Sequence, residues 1–324
     1  MVQSSSMMPT YSLKARAIAT IAAALLAALA SPTAQAQQAV TPSIPRTSDG
    51  RPDLQGYWSS RWLTPVERPV GVTALVLDKA EADKLTSDIR VRADQNNPLD
   101  PELSDPDAKS LAIVRGEYRS SLVIDPPNGK LPFTPAGRSA IGRYIAGLDG
   151  PEQRMTTERC IGGVGWAPLQ IRSANMIRRI VQTPAHLVVH TEAYDDLRII
   201  QLNVPHRPAA VTSPTGDSVA VWEGDVLVVE TKNIDPNFST RGIVTVMSST
   251  AKITERFELV GPDELVYRYT IDDPAYYTLP WTAEYAMTRT NEKMYEYACH
   301  EGNHSLTHML SGARLEQSEA AKKP

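Results

Sequence analysis

The sequence predicts a mainly β protein, built as an antiparallel barrel or sandwich, with short helices in the N-terminal half. Three observations carry this. First, residues 217–273 read as two hairpins in series: Val219, Val221, Val226, Val228, Val229 and Thr231 are β-branched, and Glu223-Gly224-Asp225 and Gly261-Pro262-Asp263 are turn chemistry. Ile253, Glu255, Phe257 and Leu259 share one strand face, and Lys252, Thr254, Arg256 and Glu258 share the other. Second, further strand candidates follow one another with short polar turns: 176–182, 187–192, 197–202, 282–288 and 294–299. Third, no βα alternation, P-loop, dinucleotide glycine fingerprint or fixed-period repeat is present.

In chain order, Lys14 and Arg16 precede an Ala- and Leu-rich run, 17–30, and Ala34-Gln35-Ala36 offers a small-x-small cleavage site. This is a secretory signal pattern over 1–36, and it places the mature chain in the periplasm or outside the cell. The alternative is a membrane anchor, for which the run is short. No later stretch is long and apolar enough to cross a membrane. Residues 37–55 are rich in Pro, Ser, Asp and Gly and read as an extended arm. A single β-rich domain is expected over 56–316, with a helical and loop insertion around 77–170 and a frayed tail at 317–324.

Gly56-Tyr57-Trp58 opens the first strand piece, its Trp placed to plug one end of a barrel. The best helical segment is 77–91, with Asp78 as its cap and Ala82, Leu85 and Ile89 on one face. Strand character returns at 119–127 and is stopped by Asp125-Pro126-Pro127-Asn128-Gly129. A short helix is expected from Thr134-Pro135 to Tyr144, and glycines 162, 163 and 165 permit close backbone approach near Trp166.

The chain has 324 residues and a formal charge of -4, with arginines scattered among carboxylates, so no nucleic-acid partner is indicated. Its two cysteines, Cys160 and Cys299, are disulfide candidates in an exported protein, the alternative being two thiols.

Several residue sets carry possible chemistry. His300-Glu301-Gly302-Asn303-His304 matches the H-E-x-x-H zinc pattern, with His308 four residues on. Gly302 and Asn303 are poor residues for the middle of that helix, and Asn303 instead suits a cap for 305–310, so neither a metal nor a cofactor is expected. His300 and Glu301 are candidates for an acid/base pair at a barrel mouth, or for a hydrogen-bonded pair closing it. Tyr267, Tyr269, Tyr285, Tyr295 and Tyr297 alternate within their strand candidates, so each set shares a face. With Glu192, Tyr194 and Arg198 they could line a lumen that binds a small hydrophobic or cyclic ligand, or they could form a Tyr-rich core. Trp222 reads as a cover for the core beside its turn. The paired aspartates 195–196 and 272–273 lack the spacing of a calcium loop.

One set of motifs resembles a known family. Pro52-Asp53-Leu54-Gln55-Gly56-x-Trp58, Ile124-Asp125-Pro126-Pro127-Asn128-Gly129, Glu158-Arg159-Cys160 and Gly216-Asp217-Ser218 belong to it. So do Trp222-Glu223-Gly224-Asp225-x-Leu227-Val228-Val229, Glu255-Arg256-Phe257, Asp272-Asp273-Pro274 and Cys299-His300-Glu301-Gly302-Asn303. Together, over nearly all of the mature chain, they resemble a family of exported proteobacterial and acidobacterial proteins of hypothetical function. The resemblance implies export and assigns no residue a role. The chain departs from that pattern at His304, where an aromatic is usual, and at Val219 and Ala220, where an Arg usually follows Ser218. A looser similarity to lipocalin-like (calycin) barrels rests on Gly56-x-Trp58 and the meander. The function expected is an exported small-molecule-binding barrel. The alternatives are a cofactor-free lyase, isomerase or hydrolase using His300 and Glu301, and, further off, a zinc hydrolase.

Overall fold

Period-two alternation is built into the chain wherever a strand forms. Residues 253, 255, 257 and 259 are buried while 252, 254, 256 and 258 are half-buried, and 196, 198, 200 and 202 are buried while 197, 199 and 201 are exposed. One buried face per strand forces the sheet to curl on itself or to stack. Here it curls. The computed structural model describes residues 43–96, 108–146, 149–170, 177–235, 238 and 246–322. The expected signal segment, residues 1–36, lies outside them.

The barrel strands are β1 (Gly56–Ser59), β6 (Ile177–Gln182), β7 (His186–Thr191), β8 (Asp196–Leu202), β9 (Asp217–Glu223), β10 (Val226–Lys232), β11 (Lys252–Gly261), β12 (Glu264–Asp272) and β13 (Trp281–Arg289). They lie side by side in that order, and β1 also pairs with β13, which closes the ring. A tenth strand, β5 (Val123–Asp125), adds to the far part of β13. All ring pairings are antiparallel except β8 with β9, which is parallel through only two register positions, Gln201 with Val219 and Leu202 with Ala220. The barrel is therefore mixed, where a wholly antiparallel one was expected. The cause is the connection 203–216, which carries the chain back to the opposite end of the ring before β9 starts.

The interior is packed, with Trp58, Phe257, Tyr267, Trp281, Tyr285 and Met287 all wholly buried. Trp58 donates from Nε1 to the Leu54 carbonyl at 2.9 Å, and the Arg289 guanidinium sits 4.4 Å from its ring centroid. Outside the ring a small sheet, β2 (Val76–Leu77), β4 (Glu117–Arg119) and β3 (Ile113–Val114), packs with helix α1 (Lys79–Asn96) through Leu77, Ala82, Leu85 and Leu111. Asp78 caps α1 in a reciprocal box: its Oδ1 accepts from the Glu81 N–H at 2.9 Å, and Glu81 Oε2 accepts from the Asp78 N–H at 3.1 Å. Helix α2 (Pro135–Ala146) starts as expected, with Thr134 Oγ1 accepting from the Gly137 N–H.

Helices are not confined to the N-terminal half. The segment 294–298, expected as a strand, has no strand partner, and the chain then forms α3 (Cys299–Gly302) and α4 (His304–Ala320). A closed ring explains this: both edges of β13 are taken, by β12 on one side and by β1 and β5 on the other. Asn303 separates the two helices and accepts from the Leu306 N–H, so the expected cap is present, and α4 runs past the point where fraying was expected.

Each end of the ring is covered differently. The segment 162–170 enters at the Asp196 end. Asp196 Oδ2 accepts from the Gly163 and Gly165 N–H groups at 2.8 and 2.9 Å, and Val164, Ala167 and Leu169 are wholly buried. An added Cβ on Gly165 would stand 2.7 Å from both Asp196 Cβ and Thr191 Oγ1, so only glycine fits. The arm 43–55 crosses the other end, where Arg46 pairs with Asp225 through two bonds of 2.9 and 2.5 Å and Gln182 exchanges hydrogen bonds with the Leu54 N–H and the Pro52 carbonyl.

Candidate functional site

Inside the ring, period two aims Arg198 of β8 and Glu255 of β11 at each other. Arg198 Nη1 and Nη2 donate to Glu255 Oε1 and Oε2 at 2.8 and 2.5 Å, and both side chains are sealed from water. Nη2 also reaches Ser218 Oγ and Thr231 Oγ1, each at 3.0 Å. Burial alone would disfavour charge on Arg198, but the Glu255 carboxylate holds the guanidinium above its ordinary value. Tyr267 donates to Glu255 Oε1 at 2.6 Å and accepts from the Leu169 N–H at 2.8 Å, while Tyr285 donates to the Leu169 carbonyl at 3.1 Å. Burial, and then the Glu255 charge, push the Tyr267 phenol well above its usual range. Burial raises Tyr269 and Tyr285 likewise.

The expected lumen residues thus divide. Arg198, Tyr267, Tyr269 and Tyr285 are brought together and buried, with Tyr267 and Tyr285 bonded to the Leu169 backbone and the rings packed on one another. Tyr295 and Tyr297 lie on the irregular segment before α3 and are exposed, so they share no sheet face. Tyr297 packs on Tyr194 with the rings tilted at 44° and their centroids 4.7 Å apart, and the Tyr295 N–H donates to Glu192 Oε1 at 2.9 Å, with Glu192 Oε2 left without a partner.

His300 and Glu301 lie on α3 and are exposed. The H-E-x-x-H match is split between α3 and α4 at Asn303, so His300, His304 and His308 do not occupy one continuous helix, and all three are exposed. Among the described residues no group of three or more His, Cys, Asp or Glu side chains is placed to hold a metal ion. Cys160 and Cys299 are joined, with Cα atoms 5.7 Å apart, and Asn303 Nδ2 donates to the Glu158 carbonyl at 2.9 Å beside them. A shallow cavity of about 420 Å³ opens here between Glu158, Glu296, Tyr297 and Cys299.

The better-formed cavity, about 360 Å³, lies at the opposite end of the ring, under the arm. Its barrel walls are the last inward-facing positions of their strands: Gln182 of β6, Leu202 of β8 and Trp222 of β9. Asp49, Arg51 and Gln55 of the arm and Asn203 complete it. Arg51 lies 5.7 Å from the Trp222 ring centroid. Trp58, Trp62, Trp166 and Trp281 are buried and Trp222 is half-buried, so Trp222 is the tryptophan that meets solvent. Trp222 packs against the core, as expected of a cover, and also forms a wall of the cavity, which was not expected. The signal was present: a residue directly before the Glu223-Gly224-Asp225 turn must sit at a rim.

No family model matches the chain, and no curated protein matches it.

Proposed function

We propose that this protein is a small-molecule-binding barrel, exported to the periplasm or beyond, whose ligand is a small cyclic compound held at the arm-covered mouth. The observation that carries this is the placement of Trp222: a large flat side chain, half-exposed at the end of a filled barrel, forming one wall of a cavity of about 360 Å³. Barrel mouths are preferred ligand positions, and an indole offers apolar area with a defined face and edge. The described interior is filled by side chains, which favours the mouth over a lumen as the place for a guest.

Export is supported by the N-terminal signal pattern and by the joined Cys160–Cys299 pair. No described helix is long and apolar enough to cross a membrane. The acid/base reading has less support, because His300 and Glu301 stand in solvent on a single short turn of helix. Native mass spectrometry of the protein isolated from its own periplasm tests the binding reading. A retained compound in the wild type that is lost in Trp222→Ala is expected. Retention unchanged by Trp222→Ala would move the site elsewhere.

A further inference from the structure

Resting on the reading above, we infer that the mouth cavity selects a ring that carries a carboxylate, with Arg51 as the group that recognises the anion. Two arginines of the arm approach the turn at residues 223–225, and they are used differently. Arg46 is committed: both of its terminal nitrogens are taken up by Asp225, and Nη1 also reaches the Gly50 carbonyl at 2.8 Å. Arg51 makes one long hydrogen bond, Nη1 to the Gly224 carbonyl at 3.3 Å, and no ion pair among the described residues, although its charge, after that of Arg46, helps to hold the Asp225 carboxyl low. Its other donors face solvent, and its guanidinium is positioned over the indole. A guanidinium presents a planar fork that matches a carboxylate through two parallel hydrogen bonds.

The other polar groups of the cavity are mostly occupied. Gln182 has both ends bonded to the arm, and Thr183 Oγ1 is bonded within its own turn. Asp49, the one acid of the lining, accepts from Thr47 Oγ1. Arg51 is the one cation of the lining. Leu202, buried at the floor, and the indole edge of Trp222 supply the apolar surface for the ring. The cavity is mostly polar, with an apolar patch at Leu202 and Trp222 beside the exposed, planar Arg51 guanidinium, and this pairing fits a cyclic carboxylate better than a neutral ring or an amine.

The test uses benzoate and its neutral isostere benzamide, followed by calorimetry and by the part of the intrinsic tryptophan fluorescence change that is lost in Trp222→Phe. Benzoate is expected to bind at least about tenfold more tightly than benzamide, since one charge-assisted pair is worth about that factor. The preference should vanish in Arg51→Gln and be only partly kept in Arg51→Lys, which retains charge but not the planar fork. Both variants lie on an exposed arm, so unchanged far-ultraviolet dichroism is expected alongside. Equal binding of the two probes would overturn the carboxylate inference and leave the cyclic-ligand reading standing. Saturable binding of neither would overturn both. A benzoate preference that survives Arg51→Gln would show that another cation makes it.

Discussion

Arg198 and Glu255 face each other across the barrel interior through two hydrogen bonds of 2.8 and 2.5 Å, one from β8 and one from β11, with no access to water. Two strands, β9 and β10, separate them along the ring, and each contributes a hydroxyl, Ser218 and Thr231, to the same guanidinium. The pair therefore ties four staves of the ring together from inside.

Breaking that pair from one side should be costly. Glu255→Ala leaves a buried guanidinium with hydroxyl partners only, and a loss of about 3–5 kcal/mol in unfolding free energy is expected from denaturant titration. The double replacement Arg198→Met with Glu255→Leu removes both charges and should recover most of the loss. Equal damage in the single and double variants would show that packing, not charge, holds this layer.

Acid should reveal two carboxylates acting in opposite directions. Burial raises Asp196, partly offset by the Gly165 and Gly163 N–H groups, so the folded state holds its proton more tightly than the unfolded chain does. Its contribution is fully present below the unfolded value, about 3.9, and is lost as pH rises through the raised folded value. Asp217 is held low by Arg207 and His206 in spite of burial, so its contribution is present above about 3.9 and is lost as pH falls through the depressed value. Thermal melts of Asp196→Asn should lose less stability with rising pH, above the unfolded value, than those of the wild type. Asp217→Asn should flatten the fall on the acid side.

The plugged end should be intolerant of one methyl group. In Gly165→Ala the new carbon meets Asp196 and Thr191 at 2.7 Å, and a loss of about 1–3 kcal/mol is expected in chemical unfolding. Gly142→Ala, on α2 with nothing within 4 Å, should be neutral or slightly stabilising and serves as the control.

The Cys160–Cys299 bond closes a loop of 139 residues, and a chain-entropy estimate puts its worth at up to about 5 kcal/mol. Beyond it, α4 is held by few described contacts: Ala313 is its one buried residue, and Arg314 Nη2 donates to the Asp149 carbonyl at 2.8 Å. The double variant Cys160→Ser with Cys299→Ser should keep the β-type dichroism of the barrel but release 290–322 to limited proteolysis. Protection of that segment equal to the wild type would show that its packing is sufficient without the bond.

The hairpins were readable because period two, β-branching and turn chemistry agree at 217–232 and 252–272. Residues 253, 255, 257 and 259 share the inner face in the structure as in the sequence. Tyr295 and Tyr297 misled, because alternation alone cannot say whether a sheet edge is free, and in a closed ring none is. The parallel step between β8 and β9 was hidden for a related reason: it depends on where the connection 203–216 ends, not on the strand residues. Arg198 was visible as a polar group on a strand. Its partner could be found only by knowing that β8 and β11 face each other across the ring. Arg51 carried no pattern at all, since it acts from an irregular arm.

A hoop is as stiff as its least-bonded joint. The joint between β8 and β9 has two paired positions, as has the closure between β1 and β13, where β11 and β12 share nine. Breathing of the wall should start at these two joints, and at the first of them amide hydrogen exchange should be fastest along the unpaired side of β8 near Leu197 and Ile199. Those two side chains are also more than half exposed on the outer surface, so an opened joint would present both apolar groups and unsatisfied backbone at one place. Arg198 bonds to Ser218 directly across that joint, so the buried guanidinium bridges from inside the place where the wall has few backbone pairs.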